Sequence, residues 1–143
     1  MNDSIYLGNP NLKKANTPIE FTEEQIVEFL KCKDDPVYFA RKHIKIVSID
    51  EGLVPFDMYD FQEKLIKNFH EARFNICKMP RQTGKSTTCV SYLLHYAIFN
   101  DNVNVAILAN KASTARDLLG RLQLAYENLP GWMQQGIISW NKG

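Results

Sequence analysis

The residues best suited to chemistry lie between positions 78 and 87, which read Lys-Met-Pro-Arg-Gln-Thr-Gly-Lys-Ser-Thr. The Gly-Lys-Ser triplet is the end of the pattern found in loops that bind nucleotide phosphates, where unpaired amides at a helix start and a lysine ammonium face the phosphate oxygens. Lys85 would contact the β- and γ-phosphates, the Ser86 hydroxyl would bind Mg²⁺, and Gly84, which has no Cβ, would allow the backbone to approach closely. The predicted nucleotide contacts in this segment are Gln82, Thr83, Gly84, Lys85, Ser86 and Thr87.

A strand before this segment and a helix after it are needed to hold the triplet in place. Residues 74–77, Phe-Asn-Ile-Cys, are suited to a short strand, and apolar side chains recur at helical spacing from Cys89 to about Phe99. The usual pattern has a glycine six residues before the lysine, where this chain has Met79. A Gly-Lys-Ser triplet also occurs by chance in plain turns, but the flanking strand and helix favour nucleotide binding.

Two polar residues outside the triplet are further candidates. Arg81 lies four residues before Lys85, so its guanidinium could reach a γ-phosphate oxygen, or it could be a solvated loop arginine. Gln62 follows Tyr59 and Phe61, and its amide can donate and accept at once, which matches the N6/N7 edge of adenine. From the residues alone, a surface glutamine on an amphipathic helix is the favoured interpretation. We interpret Phe61 as a core residue and Tyr59 as the freer ring.

The apolar segments of the second half alternate in type. Residues 103–109 form an apolar run without clear alternation, which is typical of a strand buried on both faces. Ser113 can cap a further helix with apolar residues from Ala115 to Leu129, and residues 137–140 begin another extended segment. The order strand–helix–strand–helix–strand predicts an α/β fold of the P-loop NTPase type, with a parallel sheet and crossover helices.

A small helical segment precedes this predicted sheet. Two helix starts are marked there by capping residues, Thr22 with Gln25 and Asp35 with Pro36. Residues 44–49 look extended, and Asp60 with Glu63 is a further capping signature. The predicted divisions are a flexible N-terminal arm at 1–20, a helical segment at 21–50 and the first part of a P-loop ATPase domain at 51–143.

Composition narrows the classes of function. The chain has 143 residues, about the length of one domain, and a formal net charge of +1, so no overall field attracts nucleic acid or membrane. The start has neither the basic nor the apolar region of a signal peptide, and no apolar run approaches the length of a membrane span. The cysteines show no metal-ligand spacing, and we expect Cys77 and Cys89 to be buried.

Other polar residues have plainer interpretations. His95 lies among apolar residues and is expected to be a core histidine. The basic pair Arg41–Lys42 is expected to be solvated. Lys111, Arg116 and Arg121 follow the second predicted strand and could face DNA or another charged ligand, although a solvated helix face is the default.

Several segments together resemble the large terminase subunit of tailed bacteriophages, the motor that packages viral DNA. They are residues 52–62, 81–87, 106–111 and 129–143, and the similarity spans positions 36–143. The likeness is closest to the subunits of large contractile-tailed phages. Terminases resemble one another in having the arginine of Arg-Gln-x-Gly-Lys and in lacking the first glycine, so Met79 is expected in this family.

The resemblance implies a P-loop ATPase of the additional-strand class, with ATP and Mg²⁺ as cofactors and a nuclease domain behind it. Gln62 falls on the glutamine that contacts adenine, which reverses the interpretation reached from the residues alone. Arg81 falls on the arginine proposed to sense or stabilise the γ-phosphate. The implied catalytic residues are therefore Arg81 and Lys85, and Ser86 is the implied metal ligand.

The resemblance also implies a biological setting. The implied partners are double-stranded phage DNA, the portal protein and the small terminase subunit, with a homo-oligomeric ring in the full-length protein and no membrane. The implied location is the host cytoplasm, with transient docking on the procapsid portal.

The departure from the family is large. No predicted strand after the Gly-Lys-Ser triplet ends in the Asp-Glu pair that polarises the attacking water in this family, and the nuclease carboxylates are absent. The chain therefore resembles the N-terminal portion of a longer protein, with an incomplete sheet. We expect it to bind nucleotide but to hydrolyse it poorly alone. One alternative is a helicase-type DNA translocase, although those usually have a glycine where this chain has Gln82-Thr83. Another is a non-enzymatic truncated remnant with unpaired sheet edges and exposed apolar surface.

Overall fold

Helices and short antiparallel ribbons make up the fold. The computed structural model describes residues 4–48 and 50–141. The helices are α1 (Glu23–Asp34), α2 (Pro36–His43), α3 (Asp60–Glu71), α4 (Lys85–Phe99) and α5 (Ala112–Glu127), and the strands are β1 (Ile5–Tyr6), β2 (Asn9–Lys13), β3 (Lys45–Ser48) and β4 (Gly52–Pro55). β1 pairs with β2 and β3 with β4, both antiparallel, so the chain is mixed α/β. A search of the described helices finds none with the length and apolar character to cross a bilayer.

Local capping residues start the first two helices where the sequence predicted. The Thr22 hydroxyl accepts from the Gln25 amide at 3.2 Å, and the Gln25 side chain accepts in return from the Thr22 amide at 3.1 Å. Asp35 Oδ1 accepts from the amides of Val37 and Tyr38 at 2.9 and 3.0 Å. Both predictions are confirmed, because each cap depends only on residues within one turn.

The N-caps of α3 and α5 differ from the prediction by one and two residues, respectively. Tyr59, not Asp60, is the N-cap of α3, and the side-chain oxygen of Gln62 accepts from the Tyr59 amide at 3.0 Å. The predicted pairing of Asp60 with Glu63 is therefore wrong: the carboxylate of Glu63 faces a neighbouring helix instead. Lys111 is the N-cap of α5, so Ser113 lies inside the first turn rather than capping it.

The core lies where α2 and α4 pack together. Phe39 of α2 is fully buried and its ring meets the rings of His95 and Phe99 of α4, with centroids 5.4 and 5.5 Å apart. His95 Nε2 lies 2.9 Å from the Cys32 carbonyl, which confirms the prediction of a core histidine. Burial lowers the pKa of His95, so the ring stays neutral and packs as part of this aromatic cluster.

The predicted parallel sheet is not among the described elements. Residues 74–77 and 103–109 are in neither helix nor strand. Ile76 is 100% exposed and Leu108 87% exposed. Cys77, predicted to be buried, is exposed, whereas Cys89 is half-buried on α4. A strand exists only with a hydrogen-bonded partner, and an apolar run predicts burial without specifying that partner.

Part of the N-terminal stretch predicted to be a flexible arm forms the β1–β2 ribbon. The β1–β2 ribbon packs Leu12 into the core, where it is 2% exposed. Gln134 fixes the ribbon from the other end of the chain: its Oε1 accepts from the Lys13 amide at 3.1 Å, and its Nε2 donates to the Asn11 carbonyl at 2.8 Å. Ile137 adds a parallel bridge to Lys14. Of the predicted extended segment 44–49, β3 covers four residues, and Ile49 lies outside the described residues.

Candidate phosphate-binding site

The start of α4 has the backbone geometry of an anion site. Gly84 is the N-cap with φ 72° and ψ 15°, in the left-handed region that glycine adopts without a Cβ penalty. The first helical hydrogen bond runs from the Thr88 amide to the Gly84 carbonyl at 3.0 Å. The amides of Lys85, Ser86 and Thr87 therefore have no acceptor within the helix, and they lie at the positive end of its dipole. Val90, Leu94 and Ile98 are buried and fix α4 on the core.

The residues before Gly84 fold back over the lysine. Lys85 Nζ donates to the carbonyl of Pro80 at 2.7 Å and to that of Met79 at 3.1 Å. The Thr83 hydroxyl also donates to the Pro80 carbonyl, at 3.1 Å. Residues 79–84, hereafter the 79–84 loop, are thus closed around the Lys85 ammonium. An anion at the helix start would compete with these two carbonyls for that ammonium.

Gln62 joins α3 to the 79–84 loop. Its side chain is nearly fully buried, and its Nε2 donates to the Thr83 carbonyl at 3.3 Å while its Oε1 accepts from the Tyr59 amide. A Cβ built on Gly84 would lie 2.4 Å from Gln62 Nε2, so the loop and the amide are in close contact. The interpretation of Gln62 as a surface residue is wrong. Its spacing to Leu65, Ile66 and Phe69, three, four and seven positions on, was the signal that places it on the buried face of α3.

The other predicted contacts are at the surface of this site. Arg81, Gln82 and Ser86 are exposed, and Thr87 is half-buried. Gln82 has φ 61°, an uncommon conformation for a residue with a side chain. Among the described residues, no hydrogen bond or ion pair involves the Arg81 guanidinium. The structure therefore brings Gln62, Thr83, Gly84 and Lys85 together and leaves Arg81, Gln82 and Ser86 facing solvent.

Two aromatic residues, Tyr59 and Phe61, shortly precede Gln62 in the chain. Tyr59 is 69% exposed and Phe61 43% exposed, with their ring centroids 5.6 Å apart and their planes 10° from parallel. The prediction of Phe61 as a core residue is wrong, because Leu65 and Ile66 already fill the buried face of α3. Tyr59 is the freer ring, as predicted. A flat, exposed aromatic pair thus stands beside the turn from which the buried Gln62 amide extends.

The charged residues in the stretch of sequence around the loop are of one sign. No aspartate or glutamate occurs between Glu71 and Asp101, whereas the same stretch has cations at Arg73, Lys78, Arg81 and Lys85. On α4, burial raises the pKa of the Cys89 thiol, so this cysteine stays protonated at neutral pH and adds no negative charge. The charged residues of this stretch are therefore all cations, although the chain as a whole is close to neutral.

Three basic residues lie at the start of α5 or on it, and one of them, Arg121, lines a cavity together with Thr87 of α4. Lys111, Arg116 and Arg121 are all exposed, in agreement with a solvated helix face. Arg41 is exposed, as expected for a solvated residue, and it also contacts the turn before α3.

No protein-family model matches the sequence. The geometry defines three features: a helix start whose first amides have no acceptor within the helix, the Lys85 ammonium bonded to carbonyls of the 79–84 loop, and the buried Gln62 amide bonded to the same loop.

Proposed function

We propose that the 79–84 loop and the start of α4 bind the phosphates of Mg²⁺-ATP, and that the chain is the ATP-binding part of a DNA-packaging motor of the large terminase subunit type. The observation that carries the proposal is the contact between Gln62 Nε2 and the Thr83 carbonyl. It joins a candidate base-reading amide to a candidate phosphate loop, and the two are 21 positions apart in the chain.

The phosphate end of the proposal rests on α4. The β- and γ-phosphates would accept hydrogen bonds from the amides of residues 84–87, and the Lys85 ammonium would exchange its two carbonyl partners for phosphate oxygens. Mg²⁺ would bind to the exposed Ser86 hydroxyl. Arg81, exposed on the same loop, would meet the γ-phosphate, where charge builds up in the transition state.

The base end of the proposal rests on Gln62. A carboxamide has two N–H donors and two acceptor lone pairs, and the contacts to Thr83 and Tyr59 use one of each. The remaining donor and lone pair match the N7 acceptor and N6 donor of adenine. Tyr59 would contact the base or ribose with its exposed ring.

The motor function rests on the resemblance. In a fold of the large terminase subunit type, residues 74–77 and 103–109 would be neighbouring strands of a parallel sheet, and α4 and α5 would be its crossover helices. Double-stranded phage DNA, the portal protein, the small terminase subunit and a homo-oligomeric ring would be the partners, in the host cytoplasm. Without the Asp-Glu pair that positions the attacking water, this chain would turn over ATP far more slowly than a complete motor.

Calorimetric titration with Mg²⁺-ATP tests the binding step. Lys85→Ala should abolish measurable binding, because it removes the cation at the β- and γ-phosphates. Lys67→Ala, on the exposed face of α3, is the matched control and should bind as the parent chain does. Parent-like affinity in Lys85→Ala, or no affinity in the parent, would overturn the proposal.

A non-enzymatic chain is the second candidate function. The exposure of Phe74, Ile76 and Leu108 favours it, because a compact domain rarely leaves so many large apolar side chains in solvent along two segments. A thermal melt separates the candidates. Cooperative unfolding with a midpoint that rises when Mg²⁺-ATP is added supports the ATP-binding proposal, whereas a broad, ligand-independent melt supports the non-enzymatic candidate.

A further inference from the structure

Arg41 of α2 contacts the turn that leads into α3 at three places. Its Nε donates to Glu63 Oε1 at 2.7 Å, its Nη1 to Asp57 Oδ1 at 3.3 Å and its Nη2 to the Met58 carbonyl at 3.3 Å. The Arg41 guanidinium therefore binds the Asp57 carboxylate and the Met58 carbonyl, which precede the N-cap of α3, and the Glu63 carboxylate in the first helical turn.

The segment that Arg41 contacts, residues 57–63, contains Gln62 and sets the direction of its side chain. Phe56 and Met58 are buried and fix the chain on the core just before the N-cap. Gln62 precedes Glu63 in the first turn of α3 and reaches across to the Thr83 carbonyl. A shift of this turn by an ångström would break the 3.3 Å hydrogen bond that Gln62 Nε2 donates to the Thr83 carbonyl.

The fork of the guanidinium suits this task. Its five N–H donors lie in one plane at fixed angles, so a single side chain can bind acceptors on both sides of a helix start. The hydrogen bond that Arg41 donates to Glu63 raises the pKa of Arg41, so the guanidinium stays charged. A lysine ammonium could reach one or two of these acceptors but not all three in a fixed geometry.

We propose that Arg41 is a positioning residue of the nucleotide site: it fixes the turn of residues 57–63 and so holds the Gln62 amide against the 79–84 loop. The inference rests on the proposed function, since it assigns Arg41 to the base-reading half of that same site. Arg41 does not touch the nucleotide. It links the helical segment of residues 21–50 to ATP recognition.

A ligand-free measurement tests the positioning directly. The side-chain amide protons of Gln62, observed by NMR, should shift toward free-glutamine values in Arg41→Ala, because the hydrogen bond to Thr83 loosens. Lys42→Ala is the matched control: it removes the next cation of α2, whose partner is Glu28 rather than α3, and should leave the Gln62 signals in place. Unchanged Gln62 signals in Arg41→Ala would overturn the inference whatever the chain binds.

Nucleotide titrations test the consequence for recognition. Arg41→Ala should weaken Mg²⁺-ATP about fivefold, the scale of coupling within one hydrogen-bonded network, and leave inorganic triphosphate within about twofold of the parent. The affinity of Arg41→Lys for Mg²⁺-ATP should lie between those of the parent and of Arg41→Ala. In a Gln62→Ala background the Arg41→Ala change should have no further effect, because the group it positions is gone.

The outcomes separate the two proposals. Equal losses for ATP and triphosphate, or the same loss with and without Gln62, would show that Arg41 serves stability alone and would overturn the inference while leaving the proposed function intact. A parent chain that binds neither ligand would overturn the proposed function, and this inference with it.

Discussion

Gly84→Ala is the substitution whose effect follows most closely from the geometry. Gly84 has φ 72°, and an added Cβ would lie 2.4 Å from Gln62 Nε2. Real Cβ atoms do not approach a nitrogen so closely, so either the 79–84 loop or the Gln62 side chain must move. The substitution therefore acts on backbone strain and on the contact between α3 and the loop at once.

The expected loss of unfolding free energy in Gly84→Ala has two parts. Holding alanine in the left-handed region costs about 1–2 kcal/mol. Displacing the Gln62 amide breaks its hydrogen bonds to the Thr83 carbonyl and the Tyr59 amide, each with a net contribution of about 0.5–1.5 kcal/mol. The sum is about 2–5 kcal/mol of unfolding free energy, and ATP affinity should fall as well because the loop is displaced.

Other glycines of the chain supply the controls. Gly52 has φ 75° with nothing within 4 Å of an added Cβ, so Gly52→Ala measures the backbone strain alone, about 1–2 kcal/mol. Gly120 lies in α5 in open space, and Gly120→Ala should be neutral or stabilising by up to about 1 kcal/mol because alanine favours helix. In a Gln62→Ala background the clash disappears, and Gly84→Ala should cost no more than Gly52→Ala.

Urea unfolding followed by tryptophan fluorescence suits this series, because Trp132 and Trp140 pack against the core. Equal losses for Gly84→Ala and Gly52→Ala in the parent background would refute the close contact between Gln62 and the loop. So would a Gly84→Ala cost that persists in full without Gln62.

Two further predictions concern the packing of the N-terminal half. Burial alone would raise the pKa of Glu28, but hydrogen bonds from Lys42, His43 and Tyr38 outweigh it and lower that pKa to about 2. Since the folded pKa lies below the unfolded value of about 4.3, the stabilisation by Glu28 is present above that value and is lost as pH falls toward 2. Glu28→Gln should destabilise by about 1.5–3 kcal/mol at neutral pH and flatten the pH dependence of stability in that acidic window; an unchanged slope would contradict the assignment. Leu12→Ala should cost about 2–5 kcal/mol in urea unfolding, since Leu12 is buried; a cost under about 0.5 kcal/mol would show that the β1–β2 ribbon is not packed.

Features set by neighbouring residues could be predicted from the sequence. Thr22 and Asp35 cap their helices because cap and helix start are adjacent in the chain. The start of α4 at Lys85 follows for the same reason, since Gly84 can take the left-handed conformation that ends the loop.

Features that depend on residues far away in the chain could not be predicted from the sequence. Whether residues 74–77 pair as a strand depends on another segment, and nothing local to them encodes it. The ribbon residues on either side of Leu12 bond to Gln134, more than a hundred positions away. Arg41 is exposed, as the sequence predicts, but its contacts with Asp57, Met58 and Glu63 could not be predicted, because these residues lie in or just before a different helix.

The candidate site combines both kinds of feature. Gly84 and Lys85 follow from a local pattern, whereas the burial of Gln62 against Thr83 requires α3 to pack beside α4. The apolar spacing from Gln62 to Leu65 and Ile66 indicates the buried face of α3, whereas glutamine as a residue type is mostly exposed.

The central claim is that the helix start after Gly84 binds a nucleoside triphosphate through its amides and Lys85. A crystal structure of the chain with Mg²⁺ and a non-hydrolysable ATP analogue tests it most directly. We expect the β- and γ-phosphates at the amides of residues 84–87, with Lys85 Nζ bonded to phosphate oxygens rather than to the Met79 and Pro80 carbonyls. Phosphates bound elsewhere, or Lys85 still bonded to both carbonyls beside a bound analogue, would contradict it.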